Sequence, residues 1–134
     1  MNAALTSALL IGLGGFFGTL ARYGLSMLLS RYSVILPMGT LACNMAGCFL
    51  IAVIMQLLDN NITSLPPQFK VILATGFCGG FTTMSSMMYE TSKLAKQTGN
   101  TLAFSYIGMT LIGCAVALWA GTNTVMILQR VTTQ

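Results

Sequence analysis

The chain has 134 residues, of which 55% are hydrophobic and only 6% are charged, with a mean hydropathy of +0.81. A soluble domain carries roughly 25% charged residues, so this composition excludes a water-soluble globule and a disordered chain and leaves an integral membrane protein. The formal charge of +4 rests on six scattered cations, Arg22, Arg31, Lys70, Lys93, Lys96 and Arg130, whereas a nucleic-acid footprint needs them clustered. No nucleic-acid partner is expected. Histidine, the usual proton shuttle and metal ligand, is absent, and the two acids are Asp59 and Glu90. Nothing here assembles into an enzyme's acid–base pair.

A membrane-spanning helix needs about 20 mostly apolar residues. Four stretches qualify, at about 3–29, 39–58, 69–94 and 102–128, so the fold expected is an all-α membrane protein, one four-helix unit over residues 1–134. The first stretch has no Lys or Arg before Arg22. It therefore lacks the basic opening of a signal peptide and reads as a retained helix. Gly14 and Gly18 are spaced for close helix packing. The first connection, 31–37, ends on Pro37. The second span is free of charge and carries Thr40 and Asn44 on one face. An amide at mid-span needs partners.

The second connection runs from Asp59-Asn60-Asn61 to Pro66-Pro67. In the third span Gly76, Gly79 and Gly80 are followed by Thr82 and Thr83. Each glycine disfavours helix by about 1 kcal/mol relative to alanine, and this cluster is read as a break rather than as a packing interface. Broken helices persist at membrane depth where protein or a water-lined cavity satisfies the backbone, and freed carbonyls there can coordinate a cation. Beyond the break, Ser86 and Glu90 share a face. The third connection is placed at 93–100 around Gly99, and the fourth span carries Tyr106, Thr110 and Cys114 along one face. Cys43, Cys48, Cys78 and Cys114 all fall inside spans, as small packing residues rather than disulfide partners.

Four spans put both termini on one side, together with Lys70 and Arg130; Arg31, Lys93 and Lys96 lie on the other, with Arg22 near it. Lys and Arg near span ends set orientation, and this balance predicts insertion in both orientations and pairing with an inverted copy. The polar stripes on three helices are either interhelical glue or the wall of a narrow polar path. Hydroxyls and amides can donate to an anion or accept from a cation, so side-chain chemistry alone stops at a conductor of small ions or small molecules.

At these residues the sequence resembles the Fluc (CrcB) family of bacterial fluoride channels along nearly its whole length. The segments that carry the resemblance are Gly14-Gly15-Phe16-Phe17-Gly18 with Arg22, then Pro37-Met38-Gly39-Thr40 with Asn44 and Gly47. The third is Gly76-Phe77-Cys78-Gly79-Gly80-Phe81-Thr82-Thr83 leading to Glu90. The resemblance implies a multi-pass protein of the bacterial cytoplasmic membrane, surrounded by lipid, that forms an antiparallel dimer with two fluoride pores. A related chain in place of the second copy is the alternative partner. It also implies a structural sodium ion at the dimer centre, held by the backbone carbonyls of Gly79 and Thr82. Asn44 matches the family's pore asparagine, Ser86, Tyr106 and Thr110 match its hydroxyl track, and Glu90, with Thr40, stands near one end of that track. Cys114 stands where a serine is common.

One departure bears on the pore. Where the family has Phe-Ser-Thr-Phe, this chain has Met84-Ser85-Ser86-Met87. The pair remains one turn apart, but thioethers replace the electropositive ring edges of phenylalanine. The leading expectation is a passive channel that lowers cytoplasmic fluoride. One rival is a proton-coupled exporter of the small multidrug resistance type, which would carry a glutamate in its first helix where this chain has only Arg22. The other is a non-conducting subunit of a heterodimeric channel.

Overall fold

The computed structural model describes residues 2–59 and 66–132; Asn60 and Asn61 of the expected second connection lie outside the described residues. Helix α1 covers Ala3–Leu28, and a single 3-10 turn, Ser30–Tyr32, leads into the first connection. Helix α2 covers Met38–Asp59. Helix α3, residues 67–81, is composite: Pro67–Lys70 is α-helical, Val71–Cys78 widens into a π-helix, and Gly79–Phe81 closes as α-helix. Two extended residues, Thr82 and Thr83, separate it from α4, Met84–Thr98. Helix α5 covers Asn100–Thr132. Four segments, Ala4–Leu28, Met38–Asp59, Gln68–Thr98 and Asn100–Val131, are long and apolar enough to cross a membrane. In hydrocarbon every backbone group needs an internal partner, which is why nearly the whole described chain is helical.

The expected third connection is shorter than its polarity suggests. Lys93 to Thr98 continue α4, and Gly99 alone makes the reversal, with φ 97° and its N–H donating to the Ala95 carbonyl at 3.2 Å. That left-handed conformation favours glycine. Leu94 is buried against α5 while Lys93 and Lys96 point outward, so these turns are amphipathic helix and not loop.

Helix α1 packs along α3, and α2 packs along α5, which also receives α4. The α1–α3 crossing corrects the reading of the glycine cluster. A Cβ at Gly76 would lie 2.8 Å from the Ile11 carbonyl oxygen, and one at Gly80 would lie 2.5 Å from that of Gly15. Gly14 and Gly18 meet the backbone of Ile72 and Phe77 in return. Two Gly-x-x-x-Gly stripes therefore cross at backbone contact, the geometry that lipid-embedded helices use when small residues face each other. Of the three glycines, Gly79 alone faces open space. The apolar core sits on the other side, where Leu41, Met87, Leu94, Ala103 and Tyr106 are buried together among α2, α4 and α5.

Candidate functional site

The functional geometry begins at Thr82 and Thr83, whose extended backbone (ψ 158° and 114°) interrupts the hydrogen-bond ladder at mid-span. Side chains of the same chain answer most of the freed groups. The Asn44 amide clamps Thr83 from both sides: its Oδ1 accepts from the Thr83 N–H at 2.8 Å, and its Nδ2 donates to the Thr83 carbonyl at 3.1 Å. Thr83 Oγ1 caps α4 by accepting from the Ser86 N–H at 3.1 Å and lies 3.0 Å from Ser86 Oγ. The Cys78 carbonyl receives both the N–H and the hydroxyl of Thr82, at 3.0 and 2.9 Å. Arg22 Nε donates to the Gly80 carbonyl at 3.1 Å.

Gly79 is the exception. Its carbonyl would ordinarily accept from the Thr83 N–H four residues on, and that N–H is committed to Asn44. Gly79 and Thr82 both line a groove of about 630 Å3, together with Gly47, Cys48 and Cys78. Carbonyl oxygens freed from helix pairing are the chemistry by which proteins hold a hard monovalent cation. The residues present fit such an ion.

One turn above Asn44 on α2, and one turn beyond Ser86 on α4, the polar stripes meet a second time. Glu90 accepts from Thr40 Oγ1 at 2.8 Å on one carboxylate oxygen and from the Tyr106 hydroxyl at 3.0 Å on the other. Thr40 and Asn44 thus form one rail, Glu90 and Ser86 the other, with rungs at Thr40–Glu90 and Asn44–Thr83. Tyr106 is wholly buried and Thr40 and Asn44 nearly so. The upper rung opens into a cavity of about 500 Å3 with a mixed lining, in which Ser26, Ser30, Ser33 and Lys93 stand beside Val34, Ile35 and Leu36.

Other expected site residues stand apart from this ladder. Thr110 is buried, but its hydroxyl donates to the Tyr106 carbonyl at 2.8 Å, one turn back in the same helix. Cys114 faces Cys48 rather than the ladder. Met84 and Met87, expected as a pair, occupy different environments. Met87 is 1% exposed in the α2–α4–α5 core, whereas Met84 is 63% exposed. The covered stripe of α4 runs through Met87, Thr91 and Leu94, and Met84 precedes it by one turn, at the helix start beside the extended pair. All four cysteines are free thiols, and among the described residues no three His, Cys, Asp or Glu side chains converge.

Sequence reasoning underweighted Thr83 and Arg22. A Thr-x-x-Ser pattern after a glycine-rich run is a helix-start signal, and an ionisable side chain inside an apolar span calls for a partner. Ser26, Ser30, Ser33 and Lys93 carried no local signal, since the cavity they line is assembled from separate helices.

A chain with four membrane-crossing segments, folded around a cross-braced polar ladder, is a multi-pass helical membrane protein with an internal polar track. Residues 9–122 match the family described as "CrcB-like protein, Camphor Resistance (CrcB)", and the chain belongs to that family. It is 44% identical over 114 residues to a protein of Chlorobium phaeobacteroides (strain DSM 266 / SMG 266 / 2430) named "Fluoride-specific ion channel FluC", covering 85% of this chain and 88% of that one. A protein of the same name from Prosthecochloris aestuarii (strain DSM 271 / SK 413) is 43% identical over 121 residues, 90% of this chain and 94% of the relative. Another, from Nitratidesulfovibrio vulgaris (strain DSM 19637 / Miyazaki F), is 42% identical over 118 residues, 86% and 93% of the two chains. These relatives are named as ion channels and not as enzymes.

Proposed function

We propose that this protein is the subunit of a passive fluoride channel in the bacterial cytoplasmic membrane. The observation that carries the reading is the ladder: donors from three helices line up between a mouth and the helix break, in a chain whose relatives are named fluoride-specific channels. Fluoride is small and strongly hydrated, so a dehydrated path must replace its water with protein donors. The hydroxyls of Thr40 and Tyr106 are such donors, and they now serve the Glu90 carboxylate. An amide nitrogen carries two N–H groups; Asn44 commits one to Thr83 and has a second for an ion. Ser86, on the other side of Thr83, continues the track, and Thr110, whose hydroxyl donates to the Tyr106 carbonyl, braces the helix turn that carries Tyr106.

The working unit is an antiparallel dimer of two such chains in lipid. Support comes from the balanced charges at the two ends and from large apolar side chains left open on one protomer, Met84 at the break among them. A sodium ion at the centre is supported by the Gly79 carbonyl, whose usual helical donor is bonded to Asn44, and by Thr82 beside it in the same groove. Bound there, the ion would neutralise partial negative charge that otherwise opposes an anion at mid-membrane. The physiological logic needs no pump. Hydrogen fluoride crosses the membrane as a neutral acid and dissociates inside, and an anion leak down the membrane potential clears it.

The test is fluoride efflux from liposomes that contain only this chain, read with a fluoride electrode. Efflux far above protein-free vesicles, with chloride retained, is the expected result. Absence of efflux from a folded, dimeric protein would overturn the homomeric channel. Recovery of efflux on adding a related chain would assign it instead to a heterodimer.

A further inference from the structure

The cavity at the upper end of the ladder has a charge arrangement that the ladder itself does not explain. Its lining carries one carboxylate, Glu90, and one ammonium, Lys93, three residues apart and so on the same side of α4. Glu90 is held inward by Thr40 and Tyr106. Lys93 is exposed and forms no ion pair with Glu90, while Lys70 pairs with Asp59 at the other end of the protein. Serines 26, 30 and 33 and the apolar Val34, Ile35 and Leu36 complete a mixed wall around the two.

We infer that this cavity is an anion-capture vestibule and that Lys93 is its charge-setting residue, a role that rests on the fluoride-channel reading. An anion approaching a mouth that presents only the Glu90 carboxylate is repelled. Lys93, placed on the outer side of Glu90 and open to water, cancels that field where the ion is still hydrated. It leaves the carboxylate to act one turn deeper, where hydroxyls accompany it. The hydroxyls of Ser30 and Ser33 are tied to the backbone carbonyls of Met27 and Leu29, so Lys93 is the cationic donor that this wall presents to an arriving ion. Lys96, one turn further along α4, is exposed and does not line the cavity, which makes it the natural control.

Capture limits flux at low fluoride, so the effect belongs there. For unit charges about 7 Å apart, with a screening length near 30 Å at ~10 mM ionic strength and near 3 Å at ~1 M, removing one charge changes the local ion concentration about two- to threefold at low salt and negligibly at high salt. Initial fluoride efflux is measured for wild type, Lys93→Gln, Lys93→Glu, Lys93→Arg and Lys96→Gln, at subsaturating fluoride and over a range of an impermeant electrolyte. The expected series at low ionic strength is wild type equal to Lys93→Arg, Lys93→Gln slower by about two- to threefold, and Lys93→Glu slower by about fivefold. All are expected to converge at high ionic strength, with Lys96→Gln close to wild type throughout. A merely structural lysine would give a deficit that salt does not erase. A salt-independent series, or equal losses for Lys93→Gln and Lys96→Gln, would overturn the vestibule assignment while wild-type efflux still stands. Lack of wild-type efflux would instead remove the channel reading beneath it.

Discussion

Asn44 offers the sharpest perturbation, because one side chain supports two backbone groups of one residue. Asn44→Leu keeps the volume and the helix but removes both bonds to Thr83, at 2.8 and 3.1 Å. A net hydrogen bond is worth about 0.5–1.5 kcal/mol, and a buried group left unpaired costs about 1–3 kcal/mol. Bonds between membrane helices fall toward the low end, about 0.6 kcal/mol on average. Two orphaned backbone groups at mid-membrane, partly relieved by water in the neighbouring groove, put the loss at about 2–4 kcal/mol. Thr40→Val on the same face of α2 removes a single bond, to Glu90, which keeps its partner Tyr106. It should cost about 1.5 kcal/mol, the low end for a hydrogen bond to a charged group. Reversible unfolding in detergent, titrated with a denaturing surfactant, gives both values. Efflux per folded dimer should fall at least tenfold for Asn44→Leu. A stability within about 0.5 kcal/mol of wild type, well below the cost of two unpaired backbone groups, would refute the clamp. A destabilised protein with unchanged efflux per folded channel would mean that the second amide N–H does not meet the ion.

Gly80→Ala should destabilise by about 1–3 kcal/mol, the usual cost of overpacking, because its Cβ would meet the Gly15 carbonyl, whereas Gly79→Ala has room and should leave thermal stability near wild type. Gly79→Val, by crowding the groove, should weaken protection of the dimer by sodium more than Thr82→Val does; melting temperatures in sodium and in a bulky organic cation read this, and equal response would argue against a carbonyl site. Arg22→Met removes a charge-assisted bond to Gly80 and should cost about 1.5–3 kcal/mol in the same unfolding assay. Met87→Ala should cost about 2–5 kcal/mol as a core truncation. Met84→Ala should barely change protomer stability and instead alter efflux, with Met84→Phe tolerated better than Met84→Ala; a fast Met84→Ala variant would refute a pore wall at this residue.

The spans were legible because lipid enforces a simple rule, about 20 apolar residues per crossing, and this chain obeys it four times. Interruption near Thr82 was legible in kind but assigned to the wrong residues. Three glycines in a row of five suggest flexibility, yet two of them are there to admit α1, and that register appears only once Gly14 and Gly18 are seen across from Gly76 and Gly80. The end of α4 was misjudged because Lys93 and Lys96 look like loop residues until Leu94 is seen packed against α5. Within the site, helical spacing placed Thr40 with Asn44 and Ser86 with Glu90. It could not show that the two pairs face each other, since residues 40 and 90 meet only through the tertiary fold. The methionine pair shows the limit of spacing alone: positions one turn apart share a face, but whether a neighbour covers each depends on where the adjacent helices reach.

The clamps on the break also have an order in time. Synthesis runs from the N-terminus, so Arg22 and Asn44 are made before the backbone groups they serve at Gly80 and Thr83. By the time the third crossing leaves the insertion machinery, the first two helices can already present a guanidinium and an amide at the depth where its ladder stops. The interrupted segment then passes from one set of partners to another without a stage in which bare peptide groups face lipid. The sequence order of the helices is therefore part of how such a backbone enters the membrane at all, and moving either donor to a later helix would expose the interruption before its partners existed.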